Sequence, residues 1–168
     1  MINYQLFPKS QEISSDLLAV VSVFQNNEDG ISSKTQELSS NEVLAVVADG
    51  LEKIGFTIEK GKRKEDKIKI PVLFGRNGKL EKSFDADGVN RTTKTVIEVE
   101  AGRGVSNYQF LKDLFQACMM PEIDVLIIAI RNNYRRKSDY ETVDTFFDTL
   151  YVSGRLTLPL KRVLIIGY

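Results

Sequence analysis

Apolar positions change their spacing several times along this chain, and each change marks an element. From Ser14 to Phe24, Leu17, Leu18, Val20, Val21 and Phe24 recur at helical intervals and predict an amphipathic helix. Asn26-Asn27-Glu28-Asp29-Gly30 ends it with turn-forming residues. Ser39-Ser40-Asn41-Glu42 then matches the S-x-x-E capping box, and Val43, Leu44, Val46, Val47, Leu51 and Ile54 follow at helical spacing as far as Gly55. Beyond Phe56 alternation takes over. FTIEK and KIKIPVLFG predict strands on either side of a basic segment, Asn77-Gly78 is a hairpin turn signal, and KLEKSFDADGV is the returning strand. TKTVIEVE alternates again and predicts a further strand.

SNYQFLKDLFQACMM returns to helical spacing, with Tyr108, Leu111, Leu114, Phe115 and Cys118 near one face. IDVLIIAI is a continuous apolar run of the length expected for a strand buried on both sides. SDYETVDTFFDTLYVSG predicts another helix, closed by Gly154, and RVLIIGY a last buried strand. Helices around a meander of strands, followed by helix-strand-helix-strand, give an α/β class with a central mixed sheet flanked by helices. The two apolar strands, joined through a helix, are expected to be parallel neighbours. A chain of 168 residues is expected to form one domain over 1-168, with an N-terminal helical part to about residue 38 and a core from about residue 39. The stretch from Gln25 to Ser40 is the best candidate boundary, too short for a second domain.

Composition narrows the chemistry. There is no histidine, which excludes Ser-His-Asp and Cys-His catalysis and any His-ligated zinc or iron. One cysteine, Cys118, excludes an internal disulfide and a multi-thiolate zinc site, and fits a reducing, cytoplasmic location. The N-terminal residues show no signal-peptide pattern, and no apolar run has the length of a membrane span. Net charge is zero but unevenly placed: residues 1 to 59 carry 3 basic and 9 acidic side chains against 20 and 14 in the rest, or −6 against +6. Basic clusters at Lys60, Lys62, Arg63, Lys64, Lys67 and Lys69, and at Arg131, Arg135, Arg136 and Lys137, suit a polyanion partner or are solvated loops.

The candidate chemistry lies in FDADGVNRTTKTVIEVEAGRG. Side chains on a strand alternate faces, so Glu98 and Glu100 point the same way. If the two halves pair through Arg91-Thr92-Thr93-Lys94, Asn90 faces Thr95, Asp87 falls opposite Glu98 and Asp85 opposite Glu100. Like charges about 5 Å apart repel by roughly 3 kcal/mol at an effective dielectric of about 20, so such a patch calls for lysines, protonation or a divalent cation. Hard oxygen donors suit Mg²⁺ or Mn²⁺. A one-residue slip would send Asp85 and Asp87 to the other face.

The same run, with the helix and buried strand after it, resembles the PD-(D/E)xK nuclease superfamily, and within it type II restriction endonucleases of the BamHI and BglII kind. The resemblance implies a restriction endonuclease-like fold and metal-dependent hydrolysis of DNA phosphodiester bonds, as in a restriction or defence endonuclease. Asp87 matches the first aspartate of the motif and Glu98 its D/E. Glu100 stands at the lysine position, and Ala86 stands where proline is commonest. By that likeness Asp87, Glu98 and Glu100 are the metal-binding and catalytic residues, with Mg²⁺ or Mn²⁺ polarising the scissile phosphate and activating water. Glu100 would bind a second ion or accept the water's proton. Lys112 or Arg103 would stabilise the charge of the transition state, and Arg103, Lys112, Arg135 and Arg136 would touch the nucleic acid.

The Gly102-Arg103-Gly104 corner would let the backbone approach a phosphate, or is simply a strand-to-helix turn. Glu42 would reach the metal from its helix, or serves only its cap; Glu52 is a more distant candidate. Cleavage of both strands implies a homodimer. Because Glu100 replaces a lysine, two other readings stay open: an inactive nuclease-like fold that binds nucleic acid or protein, and a plain α/β structural subunit.

Overall fold

The computed structural model of the chain describes every residue except Lys62, Lys64, Arg103, Arg135 and Arg136. It opens on a strand that the apolar pattern does not announce, β1 (Asn3–Phe7), so the first 38 residues are not purely helical. Helices α1 (Ser15–Asn26), α2 (Glu28–Ile31) and α3 (Ser40–Lys53) follow. The capping box forms as the sequence predicts: the Ser39 hydroxyl accepts from the Glu42 amide, and Glu42 Oε2 accepts from the Ser39 amide at 2.7 Å. Next come β2 (Thr57–Ile58), β3 (Ile68–Phe74), β4 (Leu80–Ala86), β5 (Gly88–Asn90) and β6 (Thr95–Glu100). The chain then crosses through α4 (Gln109–Cys118) to β7 (Val125–Ile130). A short hairpin, β8 (Asn133–Tyr134) with β9 (Lys137–Ser138), leads into α5 (Asp139–Ser153) and β10 (Arg162–Gly167).

A six-stranded mixed sheet runs in the order β1-β10-β7-β6-β5-β2. Its centre is parallel, β6 with β7 and β7 with β10, as expected of apolar strands joined by crossover helices. Antiparallel partners close both sides, β1 on β10 and β5 on β6. β3 and β4 pair with each other in a separate two-stranded ribbon.

Alternation divides the core into two layers. Ile97, Val99, Ile127, Ala129, Leu164 and Ile166 meet α1, α2 and α3 on one face. Val96, Leu126, Ile128, Ile130, Val163 and Ile165 meet α4 and α5 on the other. Every residue of β7 is buried, at the middle of both layers. Among the described residues no helix is long and apolar enough to cross a membrane.

Candidate active site

The strand parity that buries Val96 under α4 carries Glu98 and Glu100 to the same face, at the end of β6 where the apolar alternation gives way to acid. The hairpin before it takes the register read from the sequence: Asn90 pairs Thr95, Val89 pairs Val96 and Gly88 pairs Ile97. Asn90 fixes that register. Its side chain is buried, its Nδ2 donates to the Ile54 carbonyl at 3.1 Å, and its Oδ1 accepts from the Thr92 and Thr93 amides, each at 3.1 Å. Gly88 lets β5 lie this close, because a Cβ there would stand 2.7 Å from both Ile58 Cδ1 and Ile97 Cγ2.

The ladder ends at Gly88, and one residue earlier Asp87 continues the contact with its side chain: Oδ2 accepts from the Val99 amide at 2.8 Å. Asp87 therefore stands beside Glu98. Asp85 does not join the patch. It is exposed and pairs Lys69 in the β3–β4 ribbon, because the chain leaves the main sheet at the Asp87 bend and β4 takes β3, not β6, as its partner.

A further carboxylate arrives from α4. Asp113 is 3% exposed, and its buried Oδ2 has no hydrogen-bond partner among the described residues. It shares the buried stripe of α4 with Phe110, Leu114 and Ala117, so this helix is turned away from the face expected for it, leaving Tyr108 and Phe115 exposed at 66% and 59%. The signal in the sequence was an acid three residues after Phe110 on an otherwise apolar stripe.

Burial and mutual repulsion raise the proton affinity of the whole group. Desolvation chiefly, with help from Glu59 and Asp113 and against the Val99 amide, lifts the Asp87 carboxyl to about 6. Glu100 is pushed to about 8, first by burial and then by Asp113. Glu98 is held well above the usual carboxylate range by burial, Asp87 and Asp113. Burial raises Asp113 as well.

Lys112 opposes these shifts from α4, its Nζ 3.5 Å from Asp113 Oδ1. On the β5 side Lys67 Nζ bonds Glu59 Oε1 at 2.5 Å, and its charge also lowers Asp87. Lys67 appeared in the sequence only as one member of a basic run.

The donor chemistry, carboxylate oxygen throughout, fits a hard divalent cation such as Mg²⁺ or Mn²⁺. The unpartnered Asp113 oxygen and the raised carboxyls fit one too, since Lys112 and Lys67 offset only part of their charge. As they stand, however, no three Asp, Glu or Cys side chains among the described residues converge closely enough to hold a metal ion.

Around the end of β6 lie two cavities of about 560 Å³, which meet at Gly102 and Tyr134. Gly102 has φ +80°, and a Cβ there would stand 3.0 Å from the Tyr134 ring, so the corner needs glycine for its conformation and for its space. Asp87, Glu98 and Glu100 do not line these cavities.

Glu42 lies beside one of them while serving the capping box, and Glu52 is exposed on α3. Arg131 stacks on Tyr134, 5.5 Å from the ring centroid, and donates to the Leu38 carbonyl, which gives it a structural role. Arg103, Arg135 and Arg136, expected at the nucleic acid, lie outside the described residues.

No family model matches the chain, and no match is found among curated proteins. Solved structures do match. Free BglII aligns over 99% of this chain and 78% of its own, at 14% identity and a TM-score of 0.50. Restriction endonuclease BglII complexed with a DNA 16-mer aligns over 99% and 77%, at 10% identity and a TM-score of 0.56. The chain has the restriction endonuclease-like fold.

Proposed function

We propose that this protein is a metal-dependent nuclease that hydrolyses DNA phosphodiester bonds, with Asp87, Glu98 and Glu100 as its metal-binding and catalytic carboxylates. The observation that carries this reading is the gathering of Asp87, Glu98, Glu100 and Asp113 at the end of one strand, under-compensated by Lys112 and Lys67, in a restriction endonuclease-like fold. Mg²⁺ or Mn²⁺, when bound, would supply Lewis-acid polarisation of the phosphate. The remaining roles belong to side chains. Glu98, on β6, and Asp87, tied to the Val99 amide, would hold the ion. Glu100, on the same face of β6 two residues beyond Glu98, would take the proton of the attacking water or help hold an ion. Lys112 offers the cation that the missing strand lysine would otherwise bring, and Arg103, Arg135 and Arg136 extend the basic contact to DNA.

Plasmid cleavage with Mg²⁺ or Mn²⁺ is the test. Glu98→Ala is expected to lower the rate by at least about 100-fold while leaving DNA binding in place. Mn²⁺ should raise the melting temperature of the wild type and not that of Glu98→Ala. A second reading, a nuclease-like fold that binds nucleic acid without cutting it, is favoured by the glutamate at the lysine position; among the described residues no preformed three-ligand cluster argues against it. It predicts binding with no cleavage in either metal and no Mn²⁺ shift.

A further inference from the structure

Before it reaches Asp87 the chain runs out and back as a two-stranded arm, β3 and β4. The root of the arm belongs to the core: Ile70 and Ala86 are buried, and Phe84 packs against the α4 layer. The tip does not. Leu73, Phe74 and Leu80 are 53%, 57% and 47% exposed. The pairing puts Ile70 opposite Phe84, Leu73 opposite Lys82 and Phe74 opposite Leu80, so the exposed apolar residues prolong the face that is buried at the root. Register shifts on either side of Leu73 bring both Leu73 and Phe74 to that face. A cluster of large apolar side chains held out on an extended arm marks a contact surface.

Charge decides what it contacts. Arg76, Lys79 and Lys82 are exposed at the same tip against a single acid, Glu81. Two such tips would repel each other, which disfavours a symmetric contact between copies of this chain. A polyanion with an apolar groove wall satisfies both features: phosphates take the cations, and deoxyribose edges or an opened base step take leucine and phenylalanine. Reach agrees. β4 leads without a break from Leu80 to Ala86, next to Asp87, and at about 3.3 Å per residue the tip stands roughly 23 Å from the carboxylates, about seven base pairs along a duplex.

We infer that the β3–β4 arm is a second duplex-DNA contact, its tip gripping the minor groove and flanking phosphates at a distance from the carboxylate site. The inference rests on the proposal that this protein acts on DNA. Two variants test it by anisotropy on a labelled duplex over a salt series, without added metal: Arg76→Ala/Lys79→Ala/Lys82→Ala, and Leu73→Ser/Phe74→Ser. The triple variant should bind more weakly by roughly an order of magnitude per lost phosphate contact near 0.1 M salt, and its log–log salt slope should fall by about 0.9 for each. The apolar variant should lose affinity several-fold with the slope unchanged, and both should melt like the wild type.

Wild-type affinity and slope in both variants, beside a wild type that binds duplex, would overturn the assignment and leave the nuclease reading standing. A wild-type dimer that becomes monomeric in the apolar variant at unchanged DNA affinity assigns the tip to a second copy instead. No duplex binding by the wild type sinks the DNA reading itself, and the arm's role with it.

Discussion

Among the described residues, Asp113 is the most buried acid whose side chain keeps an oxygen unpartnered near the Glu98 and Glu100 pair. A carboxylate 3% exposed, with one oxygen unpartnered, is costly to keep charged beside Glu100 and Glu98. Lys112 relieves only part of that cost, because its own side chain is 57% exposed and solvent screens it. The consequence is a pH dependence with a definite sign. Carboxyls that hold protons more tightly in the folded chain than in the unfolded one stabilise the fold at low pH, and that contribution is lost as pH rises through their folded values. With Asp87 at about 6 and Glu100 at about 8, the metal-free protein is expected to lose stability progressively between about pH 4 and pH 8. Thermal melts in chelator will report this as a falling melting temperature. Asp113→Asn, which removes one buried charge, should flatten the fall and raise the melting temperature most at pH 8. A flat or rising profile in the wild type contradicts the account.

At the scale of elements, the β5–β6 hairpin sets the site, and its register depends on Asn90. Replacing Asn90 with Ala leaves the Thr92 and Thr93 amides and the Ile54 carbonyl without their partner. Asn90→Ala should therefore cost about 2–3 kcal/mol in denaturant unfolding, with an unchanged m-value if the fold is kept. A cost under about 0.5 kcal/mol would show that the turn holds without it. This hairpin was legible in the sequence because Asn90 and Thr95 bracket a polar turn and the period of two admits only one way to keep Val89 and Val96 buried.

The capped α3, the apolar β7 and β10 and their parallel pairing were legible for similar reasons: strong periodicity with clear ends. Asp85 was misjudged because nothing in FDADG announces that the chain leaves the sheet at Asp87. The face of α4 was misjudged because Tyr108, at φ 53°, starts the helix from a left-handed residue that no spacing rule anticipates, and Asp113 was missed with it. β1 was missed because NYQLF is short and half exposed, its place on β10 set by a partner about 160 residues away.

At the scale of the whole molecule, charge and architecture coincide. The first 59 residues, with their −6, supply the α1–α3 layer, while the +6 remainder supplies the arm, the site and α4.

The sheet also grades in rigidity from its middle outward. β7 is buried on both faces and bonded on both edges, by β6 and by β10, whereas the tip of the β3–β4 ribbon is exposed and, among the described residues, has no third strand. Amide hydrogen exchange should expose that gradient: β7 exchanging only when the whole chain unfolds, residues 73 to 80 within the shortest labelling times. Comparable protection in the two segments would refute it. Asp87 sits at the joint between these extremes, one residue from the ribbon and tied by a side-chain bond to β6. Glu98 and Glu100 thus stand within the frame of the sheet, while Asp87 stands at its margin, anchored through its side chain to the Val99 amide and through its carbonyl to the Glu59 amide.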